Sequence, residues 1–297
     1  MFPELNKPVA WRCGRFYFDW QKNPAPIVMG VLNATPNSFS DGGLFVDPAK
    51  ALDHAFQMIE DGAQIIDIGG ESTKPGVTPT SAQEEQDRVL PLIEKLQSAG
   101  VAISIDTYKP ETMKLALEIG VDILNDIQGF QNPLNVSIAA SSKDVGLCVM
   151  HMQNQPHNMQ DQPHYGNLIS EVSQFLKEAV SHLSAQGITP DRIAIDPGFG
   201  FGKTTEHNLS LLHRLDHLER SGTALLVGLS RKKTLARILG SMSADRTIAS
   251  VAAALLAVER GANVVRVHDV KPTVEAIKVW TAMHLESLDT THTKINQ

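Results

Sequence analysis

Residues 64–76 read QIIDIGGESTKPG, and this stretch decides how the rest of the chain is interpreted. It begins with a short apolar run, interrupted by Asp67, and passes through two glycines into a polar loop. An apolar run of this length bounded by glycines is typical of a strand that is buried on both faces. Burying the Asp67 carboxylate without a partner would be costly, so we expect it to meet a ligand, a cation or several hydrogen-bond donors.

The same order of apolar run, polar residue and loop recurs along the chain, and a predicted helix follows each predicted strand. Asp47-Pro48 and Ser81 with Glu84 are typical helix start signals. Strands that alternate with helices indicate parallel βαβ units, and eight such units in about 260 residues match a (β/α)8 barrel. A doubly wound open sheet is the alternative, but it would gather ligand groups at one switch point instead of after every strand.

We therefore predict an α/β fold, a single (β/α)8 TIM barrel preceded by a short N-terminal strand or hairpin around residues 15–19. Because no shift in composition marks a domain boundary, we expect a single domain over residues 1–297, with the barrel core at about residues 27–285. The predicted elements near the end of the chain include a helix over 205–218, a strand over 224–229 and a last helix over 274–285.

Composition narrows the class of protein. The chain has 297 residues, 42% of them hydrophobic, a net charge of −7 and a pI near 5.9. This charge disfavours a general nucleic-acid or acidic-membrane binder, so an anionic ligand needs local cations. No signal peptide is visible, and the longest apolar run, 251–258, is too short to span a bilayer. Because two cysteines, Cys13 and Cys148, cannot form a disulfide framework, we expect a cytoplasmic protein.

Polar residues follow the predicted strands at the end where a (β/α)8 barrel builds its active site. A lone acid after a strand often only caps a helix or holds a loop, but many polar groups in the same structural position favour a site. The residues are Asn33, Asp67, Asp106, Asn125, His151, Asp196, Ser230, Arg231, Lys232, Arg266 and His268.

Two chemical sets are present among these residues. Asp106, Asn125 and Asp196 suit a flat heterocycle with several N–H donors, because a carboxylate pairs with a guanidine-like edge through two hydrogen bonds. The groups that a phosphate or diphosphate would need are Arg266, His268, Lys74 and Asn33. Asn33 or Asp67 could share Mg²⁺ with that phosphate, since Mg²⁺ prefers few protein oxygens plus ligand phosphates.

Three further motifs in the sequence have simple interpretations. Residues 198–204, GFGFGKT, look like a phosphate loop, but only three residues separate Gly198 from Gly202 where the motif needs four, so a tight strand-to-helix turn is predicted. His213 and His217 lack the HExxH pattern and are interpreted as a surface pair. Because cations are disfavoured at a helix start, Arg231-Lys232 predicts a ligand or an acidic partner.

At this point the loops themselves resemble the signature segments of bacterial dihydropteroate synthases, in the same order and over about residues 27–280. The segments are NATPNSFSDGG (33–43), DIGGESTKPG (67–76), SIDTYKPE (104–111), LNDIQGF (124–130), MHMQNQP (150–156), DPGFGFGKTTEHN (196–208), GLSRK (228–232) and RVHDV (266–270). The resemblance implies a (β/α)8 barrel, usually a homodimer. It also implies condensation of 6-hydroxymethyl-7,8-dihydropterin diphosphate with p-aminobenzoate, and inhibition by sulfonamides.

The resemblance also assigns roles to individual residues. It implies that Asp106, Asn125 and Asp196 read the pterin edge, that Met150 and Phe201 pack near the ring, and that Lys232, with Gly228 nearby, binds it. The diphosphate and Mg²⁺ positions are Asn33, Arg266 and His268. The p-aminobenzoate region is Phe39, Thr73, Lys74 and Ser230. The implied catalytic residues are Asp67, Asp41, Lys232 and Arg266.

Two positions depart from the family pattern, which has Arg where this chain has Lys74 and Asp where it has Asn37. Lysine keeps the charge but loses the planar fork of arginine, so we expect activity to survive with altered affinity. The alternative enzyme is a pterin-binding barrel that transfers a methyl group from methyltetrahydrofolate to a corrinoid protein, which has no need of the diphosphate set. A barrel used only for binding would be expected to have lost Asp196 or Lys232, and both are present.

Overall fold

Eight parallel strands close into a barrel in the computed structural model, which describes residues 10–35, 47–72, 79–154 and 158–293, and side chains only as far as residue 284. A short antiparallel hairpin, β1 and β2, precedes the barrel, whose strands follow one another in the closed order β3 to β10. The strands are β1 (Ala10–Cys13), β2 (Phe16–Asp19), β3 (Ile27–Asn33), β4 (Ile65–Gly69), β5 (Ala102–Asp106), β6 (Ile123–Asp126), β7 (Gly146–Met150), β8 (Ile193–Asp196), β9 (Ala224–Val227) and β10 (Val264–Val267).

Helices lie between the barrel strands and pack on their outer faces. Those that the structure describes are α1 (Pro48–Glu60), α2 (Ala82–Leu96), α3 (Pro110–Ile119), α4 (Pro133–Ser141), α5 (Leu168–Ala185), α6 (Thr205–His213), α7 (Lys233–Ile238), α8 (Thr247–Glu259) and α9 (Val270–Thr293). The predicted (β/α)8 barrel with its N-terminal hairpin is therefore confirmed. None of the described helices is both long enough and apolar enough to cross a membrane.

The hairpin closes the end of the barrel where the strands begin. Trp11 is fully buried against the first residues of the strands, and its indole N–H donates to the carbonyl of Arg192 at 3.2 Å. Arg15 follows in the turn and forms two hydrogen bonds with the Asp122 carboxylate, at 3.0 and 2.7 Å. Because this end is filled by side chains, the opposite end is left for ligands.

Both predicted helix starts form, but the capping box predicted from Ser81 and Glu84 is only half formed. Asp47 accepts hydrogen bonds from the first turn of α1, and Pro48 is the first residue of that helix. Ser81 accepts from the backbone N–H of Glu84 at 3.2 Å, whereas the Glu84 carboxylate contacts Arg88. The side chain of Glu84 thus serves an ion pair on the surface of α2.

Three predicted boundaries move. The helix expected over 205–218 ends at His213, because the chain tightens into a 3-10 turn over residues 215–217. The strand expected to reach Leu229 ends at Val227, where residues 229–232 turn. The last helix begins at Val270, four residues early, since Pro272 lies in the first turn where backbone N–H groups have no intrahelical acceptor.

Candidate active site

Register within the barrel brings the polar strand ends to one level. Asn33 lies opposite Gly69, Gly69 opposite Asp106, and Asp106 opposite Asn125. Ser104 precedes Asp106 by two residues, and side chains two apart in a strand point to the same face. The carboxyl ends of neighbouring strands therefore present their polar groups together, as the sequence predicts for a barrel site.

Asp67 is the buried centre of this group. Its side chain has no exposed surface, and it accepts a hydrogen bond from the Ser104 hydroxyl at 2.6 Å. The amide of Asn125 donates to the two carboxylate oxygens at 3.3 Å each, and Arg266 Nε donates to one of them at 2.6 Å. The expectation that Asp67 meets a cation and several donors is confirmed.

Arg266, which the sequence places among the phosphate-binding residues, also binds two carboxylates. Its Nε contacts Asp67 and its Nη2 donates to Asp106 at 2.8 Å, so the two sets expected from the sequence meet at this side chain. Burial acts to lower the pKa of Arg266, but the two carboxylates outweigh it and raise that pKa. Burial raises the pKa of Asp106 to about 7, against the opposing effect of Arg266.

Asp196, Lys232 and Phe201 form the adjoining wall. Asp196 accepts a hydrogen bond from the backbone N–H of Gly198 at 2.7 Å, while burial raises its pKa. The Lys232 ammonium lies 4.2 Å from the centre of the Phe201 ring. Burial, together with Arg266, lowers the pKa of Lys232 to about 8. Phe201 belongs to an apolar cluster with Ile127, Met150, Met152 and Met159.

His268 and Ser230 form a second polar corner beside Arg266. The Ser230 hydroxyl oxygen lies 3.1 Å from both the backbone nitrogen and the Nδ1 atom of His268. Burial first, and then Arg266 and its neighbouring cations, lower the pKa of His268 to about 3, so its ring is neutral at physiological pH. Arg231 binds Asp269 through two hydrogen bonds, at 3.0 and 2.5 Å, and thus has the acidic partner that its position predicts.

The structure describes only some of the residues that were predicted to hold a metal or to lie in the two loops after β3 and β4. Asn33 is half-buried at the end of β3, and Gly228 lies beside the base of the Arg266 side chain. Over the described part of the chain, no three His, Cys, Asp or Glu side chains converge as a metal-binding group. Four predicted site residues lie outside the described residues, namely Phe39, Asp41, Thr73 and Lys74.

The glycine turn, residues 197–203, is a tight strand-to-helix connection and not a phosphate loop. Gly198, Gly200 and Gly202 all have positive φ angles, which suits residues without a Cβ. The Lys203 ammonium is buried and contacts His151 Nδ1 at 2.9 Å and two carbonyl oxygens of the turn. The prediction of a tight turn is confirmed.

His213 and His217 both lie at the surface. Both side chains are exposed, and the end of α6 at His213 separates them, so they do not share one helical face. The interpretation as a surface pair is confirmed.

Sequence reasoning missed two residues that the structure brings into the site. Ser104 precedes Asp106 by two positions in a strand, so the alternation of side chains was the signal that could have found it. Lys203 follows the glycines of the turn, and its contact with His151 depends on strand register that the sequence does not display. Both are buried polar groups with short hydrogen bonds, at positions that motif spacing alone does not distinguish.

Comparisons with known proteins agree with this geometry. The chain matches the pterin binding enzyme family over residues 29–268. It is 45% identical to the dihydropteroate synthase of Neisseria meningitidis serogroup C, over 92% of this chain and 97% of that protein. The crystal structure of Burkholderia cenocepacia dihydropteroate synthase complexed with 7,8-dihydropteroate superposes with a TM-score of 0.86 at 42% identity, over 95% of this chain and 99% of that one.

A third relative is Yersinia pestis dihydropteroate synthase in complex with a sulfonamide drug. It also superposes with a TM-score of 0.86, at 41% identity, over 93% of this chain and 99% of that one. Identity of this extent over nearly the full length of both proteins shows a common family.

Proposed function

The chain belongs to the dihydropteroate synthase family, and on that premise we propose that it condenses 6-hydroxymethyl-7,8-dihydropterin diphosphate with p-aminobenzoate. The products are 7,8-dihydropteroate and diphosphate. One observation carries the proposal: Arg266 bridges the buried carboxylates of Asp67 and Asp106 at the carboxyl end of the barrel. That centre offers both acceptors for a heterocycle and a cation for a departing anion.

Asp106, Asn125 and Asp196 read the pterin in this proposal. They lie at the carboxyl ends of β5, β6 and β8, and Asn125 and Asp196 are almost fully buried. A carboxylate accepts two parallel hydrogen bonds from an amino-pyrimidinone edge, and burial strengthens each of them. The apolar cluster around Phe201 and Met150 supplies the face on which the ring lies.

Arg266 and His268 hold the diphosphate, together with Asn33. The carbon–oxygen bond to diphosphate breaks with its electron pair, leaving positive charge on the pterin methylene that the Asp67 carboxylate stabilises. The amine nitrogen of p-aminobenzoate forms the new carbon–nitrogen bond and releases its proton to solvent. No side chain of the protein acts as a nucleophile, so the residues work through orientation and charge. Asp41 would support the same charge.

Magnesium fits the residues present. Mg²⁺ takes few protein oxygens when a substrate supplies phosphate oxygens. Asn33 is the last residue of β3, and it lies at the same height in the barrel as Asp106, because both pair with Gly69. When bound, Mg²⁺ neutralises charge on the leaving diphosphate. A cluster of several acidic ligands is not needed for this mode of binding.

The remaining expectations are parts of the same proposal. Residues 1–297 form one domain in the cytoplasm, for which the free, buried thiols of Cys13 and Cys148 are suited. The enzyme is inhibited by sulfonamides, which resemble p-aminobenzoate, through the region of Phe39, Thr73, Lys74 and Ser230. It neither binds nucleic acid nor inserts into membranes.

The enzyme is also proposed to be a homodimer. Large apolar side chains are exposed on α8 and α9, which pack against each other: Ile248 at 84% exposure, Leu256 at 47%, Val279 at 73% and Met283 at 57%. Exposed apolar side chains on two packed helices are typical of an interface between subunits. A second copy of this chain would cover it.

The reaction is tested by incubating the protein with Mg²⁺, the dihydropterin diphosphate and p-aminobenzoate. Dihydropteroate formed in equal amounts with diphosphate, and only with both substrates, is the expected result. An Asp196→Asn variant should lose most of this activity, and Asp216→Asn, on the outer surface, should keep it. Methyl transfer from methyltetrahydrofolate without any dihydropteroate would instead favour the corrinoid-dependent reaction.

A further inference from the structure

Lys203 is a buried cation that the reaction does not use directly. Only 3% of its surface is exposed, and its ammonium lies 2.9 Å from His151 Nδ1, 3.0 Å from the carbonyl oxygen of Gly198 and 3.1 Å from that of Phe201. An ammonium has three hydrogens, and these acceptors use all of them. Lys203 therefore has no donor left for a substrate phosphate.

His151 is the acceptor that ties this lysine to the neighbouring strand. It directly follows β7, and its backbone N–H donates to the carbonyl of Asp196 at 2.9 Å. Its ring packs edge-on against Phe175, with centres 5.0 Å apart. Burial and then Lys203 lower the pKa of His151 to about 3, so the ring stays neutral and Nδ1 can accept a hydrogen bond.

The glycine turn rests directly on this histidine. A Cβ on Gly198 would lie 1.8 Å from the carbonyl oxygen of His151, so the two backbones are in close contact. The turn is closed by a hydrogen bond from the Phe201 N–H to the Gly198 carbonyl, at 3.1 Å. Lys203 binds those same two residues through their carbonyl oxygens, which locks the turn against the end of β7.

The locked turn carries groups of the pterin site. The Gly198 N–H donates to the Asp196 carboxylate at 2.7 Å, and the Phe201 ring faces the Lys232 ammonium at 4.2 Å. A shift of the turn would therefore move an acceptor for the pterin edge and the apolar face beside it together. Placement of a binding group to within a fraction of an ångström is what supporting contacts provide.

We infer that Lys203 is a positioning residue, which sets Asp196 and the Phe201–Lys232 pair for the pterin by fastening the glycine turn to His151. The inference rests on the proposed role of those residues in pterin binding. A methionine of similar length would fill the same volume without the cost of burying a charge. Specific hydrogen bonds to two carbonyls and one imidazole are what only the lysine supplies.

The test compares Lys203→Met with Arg220→Met, a matched control. Arg220 is another buried cation that donates to backbone carbonyls, those of Gly261 at 2.8 Å and Arg260 at 3.3 Å, but it lies at the opposite end of the barrel. For Lys203→Met we expect the dissociation constant of 6-hydroxymethylpterin and the KM for the pterin diphosphate to rise at least tenfold. The KM for p-aminobenzoate should stay within twofold.

Two histidine variants keep the inference testable if Lys203→Met does not fold. His151→Leu removes the acceptor and should raise the same pterin constants. His151→Asn, whose side-chain carbonyl can reach the Nδ1 position, should restore most of the affinity. Arg220→Met should lower the Tm while leaving both KM values unchanged.

A lysine with a merely structural role would behave like Arg220. Equal effects of Lys203→Met on both KM values, or a fall in Tm alone, would overturn the inference. Asp196→Asn distinguishes an error in the proposed pterin site from an error in the role inferred for Lys203. If that variant keeps pterin affinity, the site assignment and the inference both fail. If it loses affinity while Lys203→Met keeps it, the inference alone fails.

Discussion

At the scale of single residues, the site depends on how buried charges are satisfied. Asp67 has no exposed surface, yet it is held by a hydroxyl, an amide and a guanidinium. Removing one partner of a buried charge leaves the other group buried without a hydrogen bond or counter-charge. The free energy lost is then larger than the net stabilisation that the pair provides. Single substitutions in this group should therefore affect activity more than their small size suggests.

Ser104→Ala should lower kcat by about 10- to 100-fold, because a hydrogen bond to a charged group is worth about 1.5–3 kcal/mol. Steady-state kinetics with both substrates measures this. Ser141→Ala is the matched control, since the Ser141 hydroxyl makes a 2.7 Å bond to the carbonyl of Ile138 on the protein surface. If the two variants have the same kcat, Ser104 does not support the catalytic carboxylate.

The pH dependence of pterin binding should follow Asp106, whose pKa is raised by burial to about 7. As the pH falls below 7, the carboxyl takes up a proton and loses an acceptor, so the dissociation constant of 6-hydroxymethylpterin should increase. Calorimetric titration from pH 5.5 to 8.5 would show it. Asp106→Asn should bind weakly, with that inflection removed. An unchanged inflection in this variant would assign it to another group.

The same group has a predictable effect on folding. A carboxyl whose pKa is raised in the folded state favours folding when it is protonated, so that contribution is present at low pH and lost as the pH rises toward 7. Ionising Asp106 as the pH rises through that range therefore has a cost in stability. Such a cost is common where binding needs a charge in a buried place.

At the scale of elements, the hairpin β1–β2 contributes to the stability of the barrel and not to the chemistry of the site. It fills the end of the barrel away from the carboxyl ends of the strands, and Trp11 is its fully buried side chain. Its residues pack against the first residues of the barrel strands, away from the polar groups at the carboxyl ends. Changes in the hairpin should therefore appear in unfolding and not in kinetics.

Trp11→Ala should destabilise the protein by about 3–5 kcal/mol, since it leaves a cavity and removes the hydrogen bond to Arg192. Urea unfolding followed by circular dichroism gives the change, and kcat of the folded fraction should stay within twofold. Tyr17→Ala, at a side chain that is 56% exposed in the same hairpin, is the control and should change little. A large loss of kcat in Trp11→Ala would contradict this separation.

At the scale of the whole molecule, the exposed apolar residues of α8 and α9 bear on assembly. Charge placed on such a face opposes association, because it would be buried without a partner. Light scattering should show a dimer for the unchanged protein and a monomer for Ile248→Glu combined with Val279→Glu. Leu134→Glu, at a residue that is 61% exposed on α4, should remain dimeric. A dimer that survives the double substitution would place the interface elsewhere.

The sequence alone determined the fold and named polar residues that the structure brings together, for a physical reason that particular residues show. The apolar run around Asp67 and the runs that end at Asp106 and Asp196 are typical of strands buried on both faces, and in a barrel all such strands end on one side. Local start signals such as Asp47-Pro48 predict where helices begin, because the hydrogen bonds that stabilise a helix start lie within its first turn. Segments such as GLSRK added the family and its chemistry.

Only the tertiary structure decided which of these groups touch. Register between β4 and β5 places Ser104 against Asp67, and the closure of the barrel brings Arg266, from the last strand, to Asp67 and Asp106. The contact of Lys203 with His151 likewise joins residues 52 positions apart. Hydrogen bonds between residues so far apart in the chain form only if both groups are placed to within a few tenths of an ångström. That placement follows from packing of the whole barrel, and no repeating pattern in the sequence records it.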